Sequence, residues 1–567
     1  MMGSITRHRH IRIDGRTKTF VEVGRTRLVL TGALFAVAFG VLALRVADLS
    51  IVQAAAQADL VQRQVTDQVV HRAELTDRNG VILATSLATA SLYADPQRVQ
   101  DIDETARRLS TILPDLSENW IRERLDTDRR FVWLRRNLTP RQHYEVNRLG
   151  LPGLDFVTEE SRVYPHGRLV SHAVGFTDID NRGLAGIERG LEDVITSSQA
   201  AISLSLDIRI QGILHEELAA AMTRFRAVGA SGLVLDVASG EVIAMVSLPD
   251  FDPQLAGNAP AEARFNQTTL GVYEMGSTFK AFTTAMALDS GAVSLADSFD
   301  ATEPLRISRF TIDDYHGQNR WLTVPEVFIH SSNIGAARMA LAVGGERQQA
   351  YLTRLGLLSP SAIELRELGQ PVKPERWRDV NTITVSYGYG VSVPPLQLAS
   401  ATAAIVNGGR LMAPTLLRRN VASPTQETQV LSAQTSQTMR QLMRLVVTEG
   451  TGSMADAPGY LVGGKTGTAE KQSGRGYAER RLLSSFVGVF PVDAPQYVVL
   501  ALIDEPKGDA QSYGFATGGW VAAPVVGRFV GRAAPLLGIR PRPDDERAYD
   551  DMIAITLPLG GRHLASY

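Results

Sequence analysis

The chain has no cysteine among its 567 residues. That excludes a disulfide framework, a thiolate metal site and a cysteine nucleophile, but it assigns no compartment. Histidine is sparse: the ten present are scattered, and no pair has the spacing of a helical HExxH zinc site. Neither charge sign dominates, since the formal net charge is −2. Bulk charge therefore points to no nucleic-acid partner. Apolar residues make up 44% and charged residues 21%, ordinary for a folded protein. The length exceeds one compact core and suggests about two to four domains.

One apolar run breaks this soluble pattern. Leu28 to Leu44 is seventeen residues without a charge, the short end of a membrane-spanning helix. Arg7, Arg9, Arg12, Arg16, Lys18, Arg25 and Arg27 precede it, against Asp14 and Glu22. Positive residues stay in the cytoplasm. Residues 1–27 are therefore expected as a cytoplasmic tail, 28–46 as the anchor, and the remainder outside. The run is longer than a usual signal-peptide core, which favours an uncleaved anchor. A cleaved signal, cut near Ala54–Ala58, is the competing reading.

Residues 50–70, rich in Gln, Ala and Val, read as a helix or stalk. Asp77-Arg78-Asn79-Gly80 reads as a turn, and the apolar residues after it as a strand. Residues 102–150 show helical spacing, with Thr139-Pro140 as a helix start. Residues 151–200 are rich in glycine and turns. From residue 201 the texture changes. Gly232–Asp236 and Val242–Val246 predict a hairpin across Ala238–Glu241, and Ser485–Phe490 with Tyr497–Ile503 predict a second strand pair. The Ala-, Leu- and Met-rich middle between them reads as helical. Strands, then helices, then strands predict an α+β domain: an antiparallel sheet covered by helices. The polar last thirty residues read as a loose tail.

Three short motifs fall in order inside this domain: Ser277-Thr278-Phe279-Lys280, Ser331-Ser332-Asn333 and Lys465-Thr466-Gly467-Thr468. A serine hydroxyl is a poor nucleophile until a base takes its proton. On a helix starting at Ser277, Lys280 lies one turn on and on the same face. A buried lysine near other cations can lose its proton near neutral pH and serve as that base. The helix start also turns free N–H groups toward the reacting centre. The third motif suits a strand. Gly467 lets substrate approach the backbone, and the Thr466 and Thr468 hydroxyls share one face. With Lys465 they would suit a carboxylate. An ordinary edge strand with a surface lysine is the plain alternative.

Together the motifs resemble the penicillin-recognising serine transferases and hydrolases. The resemblance extends to class B penicillin-binding proteins. Arg72 with Asp77–Gly80, Arg162-x-Tyr164-Pro165, His172, Gly175 and Gly186-Ile187-Glu188 look like the two ends of their non-catalytic pedestal. Gly240–Met245, Pro249–Pro253, Tyr387–Gly390, Pro395–Gln397, Asn407–Gly409, Glu449–Gly452 and Ser485–Gly488 look like their transpeptidase domain. The resemblance implies a penicillin-binding/β-lactamase-like fold, with a pedestal over 47–200, a transpeptidase domain over 201–535 and a tail over 536–567.

It implies a D,D-transpeptidase that cross-links peptidoglycan stem peptides and is acylated by β-lactams, with no metal and no cofactor. Ser277 is the nucleophile and Lys280 its base. Ser331 relays a proton to the leaving amine, Asn333 binds the substrate backbone, and Lys465 assists the relay. Thr466 and Thr468, beside Gly467, hold the terminal carboxylate. The backbone N–H groups of Ser277 and Thr468 form the oxyanion hole. Of the adjacent serines, the Ser-x-Asn pattern selects Ser331. Ser332 is expected to cap the following helix, because neighbouring residues on a helical turn point about 100° apart.

Tyr273-Glu274, the short anchor and the moderate pedestal look more like the cell-division enzyme than the elongation enzyme. Its expected partners are a SEDS-family glycosyltransferase and other division proteins, in the inner membrane at the septum. A β-lactamase or D,D-carboxypeptidase is one rival, but the stretch holding Glu364 and Glu367 lacks the Glu-x-x-Leu-Asn deacylation pattern. A penicillin sensor needs a larger cytoplasmic domain. A non-enzymatic division scaffold would not need the intact motifs.

Overall fold

The computed structural model describes residues 15–47, 71–307, 310–419, 427–473, 476–542 and 563–564. The stretch expected as a cytoplasmic tail up to residue 14, the expected stalk with its Ala54–Ala58 run, and most of the expected 536–567 tail lie outside the described residues.

The chain divides into two units, Met1–Val69 and Val70–Tyr567. The first holds one long helix, α1 (Gly15–Ala47). Its apolar stretch Arg25–Val46 is 22 residues. At 1.5 Å per residue that is about 33 Å, enough to cross a hydrocarbon core. The apolar side chains from Leu28 to Val46 are exposed all round, as a lipid-facing helix requires.

The second unit begins with a sheet of β1 (Leu75–Thr76), β2 (Ile82–Ala94), β3 (Val132–Leu138), β4 (Leu154–Val163) and β5 (Ile202–Ser203). β2 pairs antiparallel with β1, β3 and β4, while β5 joins β1 in parallel. The expected turn at Asp77–Gly80 forms: Asp77 Oδ1 accepts from Asn79 N at 2.7 Å and Val81 N at 2.9 Å. Gly80 takes a left-handed φ of 87° there, which glycine adopts without strain.

Helices α2 (Ile102–Ile112), α3 (Glu118–Leu125) and α4 (Pro140–Arg148) cover this sheet through Leu109, Ile121, Leu125 and Val146. Thr139 closes a capping box with Gln142, as its position before proline predicts. Two strands run against the expectation. β3 lies inside the stretch read as helical, and β4 inside the stretch read as turns. In both, internally paired charges interrupt the apolar alternation. Arg136 of β3 reaches Glu159 of β4 at 2.6 Å.

Arg72 and Arg162, both nearly fully buried, share the Glu188 carboxylate in the short helix α5 (Gly186–Gly190), at 2.6 Å each. This cluster joins pieces of chain that lie far apart in sequence.

The second sheet has five antiparallel strands. They are β6 (Gly229–Asp236), β7 (Val242–Leu248), β8 (Gly463–Ser473), β9 (Gly476–Phe490) and β10 (Tyr497–Asp504), in the order β8-β9-β10-β6-β7. Both expected strand pairs are present. β6 and β10 are apolar on both faces because both faces are covered. Leu233 and Leu500 join one core, and Val234 and Val499 the other. Helix α6 (Ile208–Arg224) lies on the second face. The first carries α7 (Lys280–Asp289), α8 (Val324–Ile329), α9 (Asn333–Val343), α10 (Asp379–Ser386), α11 (Pro395–Val406) and α12 (Ala433–Thr448). Two further helices, α13 (Gly518–Val521) and α14 (Ala523–Ala533), return to the second face. β8, which carries the third motif, is an edge strand.

Candidate active site

Ser277 sits in a 3₁₀ turn, Gly276–Phe279, and regular α-helix begins only at Lys280. The expectation of an α-helix from Ser277 is corrected by one turn. The tighter turn helps the geometry, because side chains three apart eclipse at three residues per turn. Lys280 Nζ accordingly lies 3.0 Å from Ser277 Oγ. Gly276 has φ 53°, and a Cβ there would stand 2.5 Å from Thr468 O. Only glycine lets the nucleophile turn and β8 approach this closely. α7 is buried from Lys280 to Ala287. It ends at Asp289, followed two residues later by Gly291 with φ 68°, the glycine expected as its stop.

Lys280 Nζ also lies 2.5 Å from Ser331 O, 3.1 Å from Ser331 Oγ and 2.7 Å from Asn333 Oδ1. Ser331 O and Asn333 Oδ1 can only accept. A neutral amine has two N–H groups and one lone pair, so these two oxygens take both hydrogens and leave the lone pair for a hydroxyl proton. Asn333 Nδ2 donates to Asp313 O at 2.8 Å, which fixes the amide orientation. Burial pushes the Lys280 pKa down to about 7, against the opposing pull of the Asp314 charge. Burial, then the Lys280 charge, push Lys465 well below its ordinary value. Lys280 can therefore be neutral near physiological pH.

The second motif divides its serines as expected. Ser331 lies between α8 and α9 with a left-handed φ of 57°, a strained position for a residue with a Cβ. Its hydroxyl faces both lysines, accepting from Lys465 Nζ at 2.9 Å. Ser332 is buried and caps α9, accepting from Gly335 N at 2.9 Å.

Asp314 was not anticipated. Its Oδ1 accepts from Asn333 N at 2.5 Å and Ile334 N at 3.0 Å, and its Oδ2 from the Ser332 hydroxyl at 2.6 Å. It holds the second motif in place from a loop with no spacing relation to it. Only the fold brings them together.

Lys465 is fully buried on β8, with Nζ 5.8 Å above the Phe328 ring centroid. The Thr466 hydroxyl lies 2.7 Å from the Thr451 hydroxyl, and Thr468 Oγ1 accepts from Gly518 N at 3.0 Å. A Cβ on Gly467 would stand 2.4 Å from Ser485 Oγ and 2.8 Å from Met275 O. Glu470 N donates to the Tyr389 hydroxyl at 3.2 Å, on the edge away from β9. Backbone groups alternate along a strand, so Thr468 N faces this same open edge. That suits the expected oxyanion pair of Ser277 N and Thr468 N.

Glu364, a candidate deacylating acid by position, is occupied elsewhere. It accepts from Leu416 N at 2.8 Å and from the Thr415 hydroxyl. Among the described residues no cluster of three or more His, Asp or Glu could hold a metal.

Two family models match the chain: a penicillin binding protein transpeptidase domain over residues 230–529, and a penicillin-binding protein dimerisation domain over 67–207. The probable peptidoglycan D,D-transpeptidase FtsI of Caulobacter vibrioides is 43% identical, over 83% of this chain and 82% of its own length. Peptidoglycan D,D-transpeptidase FtsI of Escherichia coli K12 is 30% identical, over 86% and 87%.

Among solved structures, the apo transpeptidase domain of Burkholderia pseudomallei penicillin-binding protein 3 is 35% identical, with a TM-score of 0.54. It covers 60% of this chain and 97% of that structure. Penicillin-binding protein 3 of Mycobacterium tuberculosis, complexed with aztreonam, has a TM-score of 0.67 over 84% of this chain and 98% of that structure. At 24% identity it attests the shared fold. With its dimerisation-type region ahead of a serine-lysine transpeptidase domain, the chain belongs to the penicillin-binding peptidoglycan D,D-transpeptidases.

Proposed function

We propose that Ser277 attacks the carbonyl carbon of the penultimate D-alanine in a stem peptide. Its proton passes to neutral Lys280. The tetrahedral oxyanion forms against the N–H groups of Ser277 and Thr468. Ser331, between Lys280 and Lys465, relays a proton to the departing nitrogen, and the terminal D-alanine leaves as a free amino acid. An amine of a neighbouring stem then attacks the ester carbonyl. It loses a proton as the new amide forms, and the Ser277 oxygen leaves with one. Thr466 and Thr468, with Gly467 giving access, hold the terminal carboxylate, and Asn333 binds the peptide backbone. β-Lactams acylate the same serine. The observation that carries this reading is the Lys280 environment: two acceptor-only oxygens, a buried amine and Ser277 Oγ at 3.0 Å.

In the same proposal α1 is a single-pass anchor in the inner membrane, with the N-terminus cytoplasmic and the catalytic domain outside. The pedestal spans 47–200, the transpeptidase domain 201–535 and a tail 536–567. The names of the FtsI relatives support a role at the division septum, with a SEDS-family glycosyltransferase and other division proteins as partners reached through anchor and pedestal. The full-length chain, labelled with a fluorescent penicillin, should carry one covalent adduct on the Ser277 peptide. Ser277→Ala should abolish it. An adduct on another residue overturns the assignment. In cells, loss of activity should give filaments with blocked septa; rounded cells that still divide would indicate the elongation role.

A further inference from the structure

The loop between α12 and β8 contains Glu449-Gly450-Thr451-Gly452, to which the reaction above gives no part. Its backbone is tightly wedged. A Cβ on Gly450 would stand 2.9 Å from Val446 O and 3.0 Å from Ile329 O, and one on Gly452 would stand 2.9 Å from the Phe486 ring. Across the loop, a Cβ on Gly519 of α13 would stand 2.5 Å from Thr451 O. The three glycines let two helix ends and the sheet close on this loop, so the backbone of Thr451 is fixed from several sides.

Thr451 is exposed, yet its hydroxyl lies 2.7 Å from the Thr466 hydroxyl. Thr466 Oγ1 is also 3.4 Å from Lys465 Nζ. A hydroxyl has one proton and two lone pairs. A Lys465 N–H can fill one lone pair and the Thr451 O–H the other. The Thr466 proton is then the only one left to give, and it is free to point into the cleft. A carboxylate can only accept, so its arrival selects this polarity along the chain Thr451, Thr466, carboxylate. Each donor strengthens the next.

We propose that Thr451 is a positioning residue for the terminal carboxylate of the donor peptide. Its hydroxyl orients Thr466, so that the site favours a free C-terminal carboxylate over a neutral terminus. The inference rests on the transpeptidase reading above.

The test uses the full-length chain in detergent and two D-alanyl thioesters. The leaving group ends in a carboxylate in one and in a carboxamide in the other. Thr451→Val removes the hydroxyl and keeps the shape. It should lower kcat/KM for the carboxylate thioester about fivefold to tenfold, the scale of one hydrogen bond. The carboxamide thioester should change by less than about twofold. Thr451→Ser should restore the wild-type ratio. Because the readout is a ratio within each preparation, a partly unfolded sample does not shift it. Thr451→Ala, which lacks the branched methyl, should give the same ratio as valine. Equal loss on both thioesters, or no loss on either, overturns the inference. A wild-type chain that forms no acyl-serine with either thioester overturns the transpeptidase reading, and the inference with it.

Discussion

Changing Asp314 to asparagine separates two effects of one carboxylate. The first is mechanical. Three hydrogen bonds converge on it from Asn333 N, Ile334 N and the Ser332 hydroxyl, at 2.5, 3.0 and 2.6 Å. Asparagine keeps one acceptor oxygen but removes the charge at the start of α9. Exchanging charge-assisted bonds for neutral ones, at a helix N-terminus, should cost about 1–3 kcal/mol of stability. The second effect is electrostatic. Burial lowers the Lys280 pKa to about 7, and the Asp314 charge is what opposes it. Without that charge the amine loses its proton at lower pH.

If neutral Lys280 is the base, acylation rises with pH as the ammonium deprotonates. The assay is the second-order rate with one penicillin from about pH 5 to about pH 9, alongside melting temperature. Wild type should show a rising limb with a midpoint at about 7. Asp314→Asn should move that midpoint down. A midpoint that stays in place or moves up refutes the electrostatic argument, even if the overall rate falls through loss of the cap.

Four other substitutions test separate parts of the structure. Ser331→Ala should slow acylation about 10²-fold or more, the scale for losing a positioned proton-transfer group. Ser332→Ala should keep near-normal acylation and lose about 1 kcal/mol as a cap; the reverse pattern in acylation rates would move the second motif by one residue. Glu188→Gln takes the shared carboxylate from two buried guanidiniums and should cost about 3–5 kcal/mol in denaturant unfolding; a loss below about 1 kcal/mol would contradict the cluster's structural role. His172 is buried, its ring 2.9 Å from Ala263 O, and burial lowers its pKa to about 4 from 6.5. The unfolded chain binds an extra proton between those values. Stability should therefore fall as pH drops from about 6.5 to about 4, by on the order of 3 kcal/mol. His172→Gln should remove that part of the slope in melting temperature, and an unchanged slope would assign it to other groups.

What was legible in the sequence was local. The Asp77–Gly80 turn, the Thr139 cap, the Gly291 stop and both hairpins depend on neighbours within a few residues. The three motifs were legible because their chemistry is concentrated in short runs. β3 and β4 were not, since Arg136 and Glu159 pair with each other across the sheet, and Arg136 also with Asp180, contacts that no local pattern announces. Nor was the 3₁₀ turn at Ser277, which depends on Gly276 packing against Thr468 from a strand nearly two hundred residues later. Asp314 and Thr451 escaped for the same reason. Asp314 bonds to residues about 18–20 positions on, and Thr451 pairs with Thr466 fifteen positions on. Neither separation has a meaning in helix or strand periodicity.

The central claim is that the acyl group on Ser277 passes to an amine, and one reaction measures that directly. The full-length chain in detergent would be supplied with uncross-linked glycan strands carrying pentapeptide stems. Released D-alanine and cross-linked stem dimers would then be counted together. Wild type should release one D-alanine for each cross-link formed, and Ser277→Ala should yield neither. Release of D-alanine with free tetrapeptide stems and no dimer would make the protein a hydrolase and contradict the account.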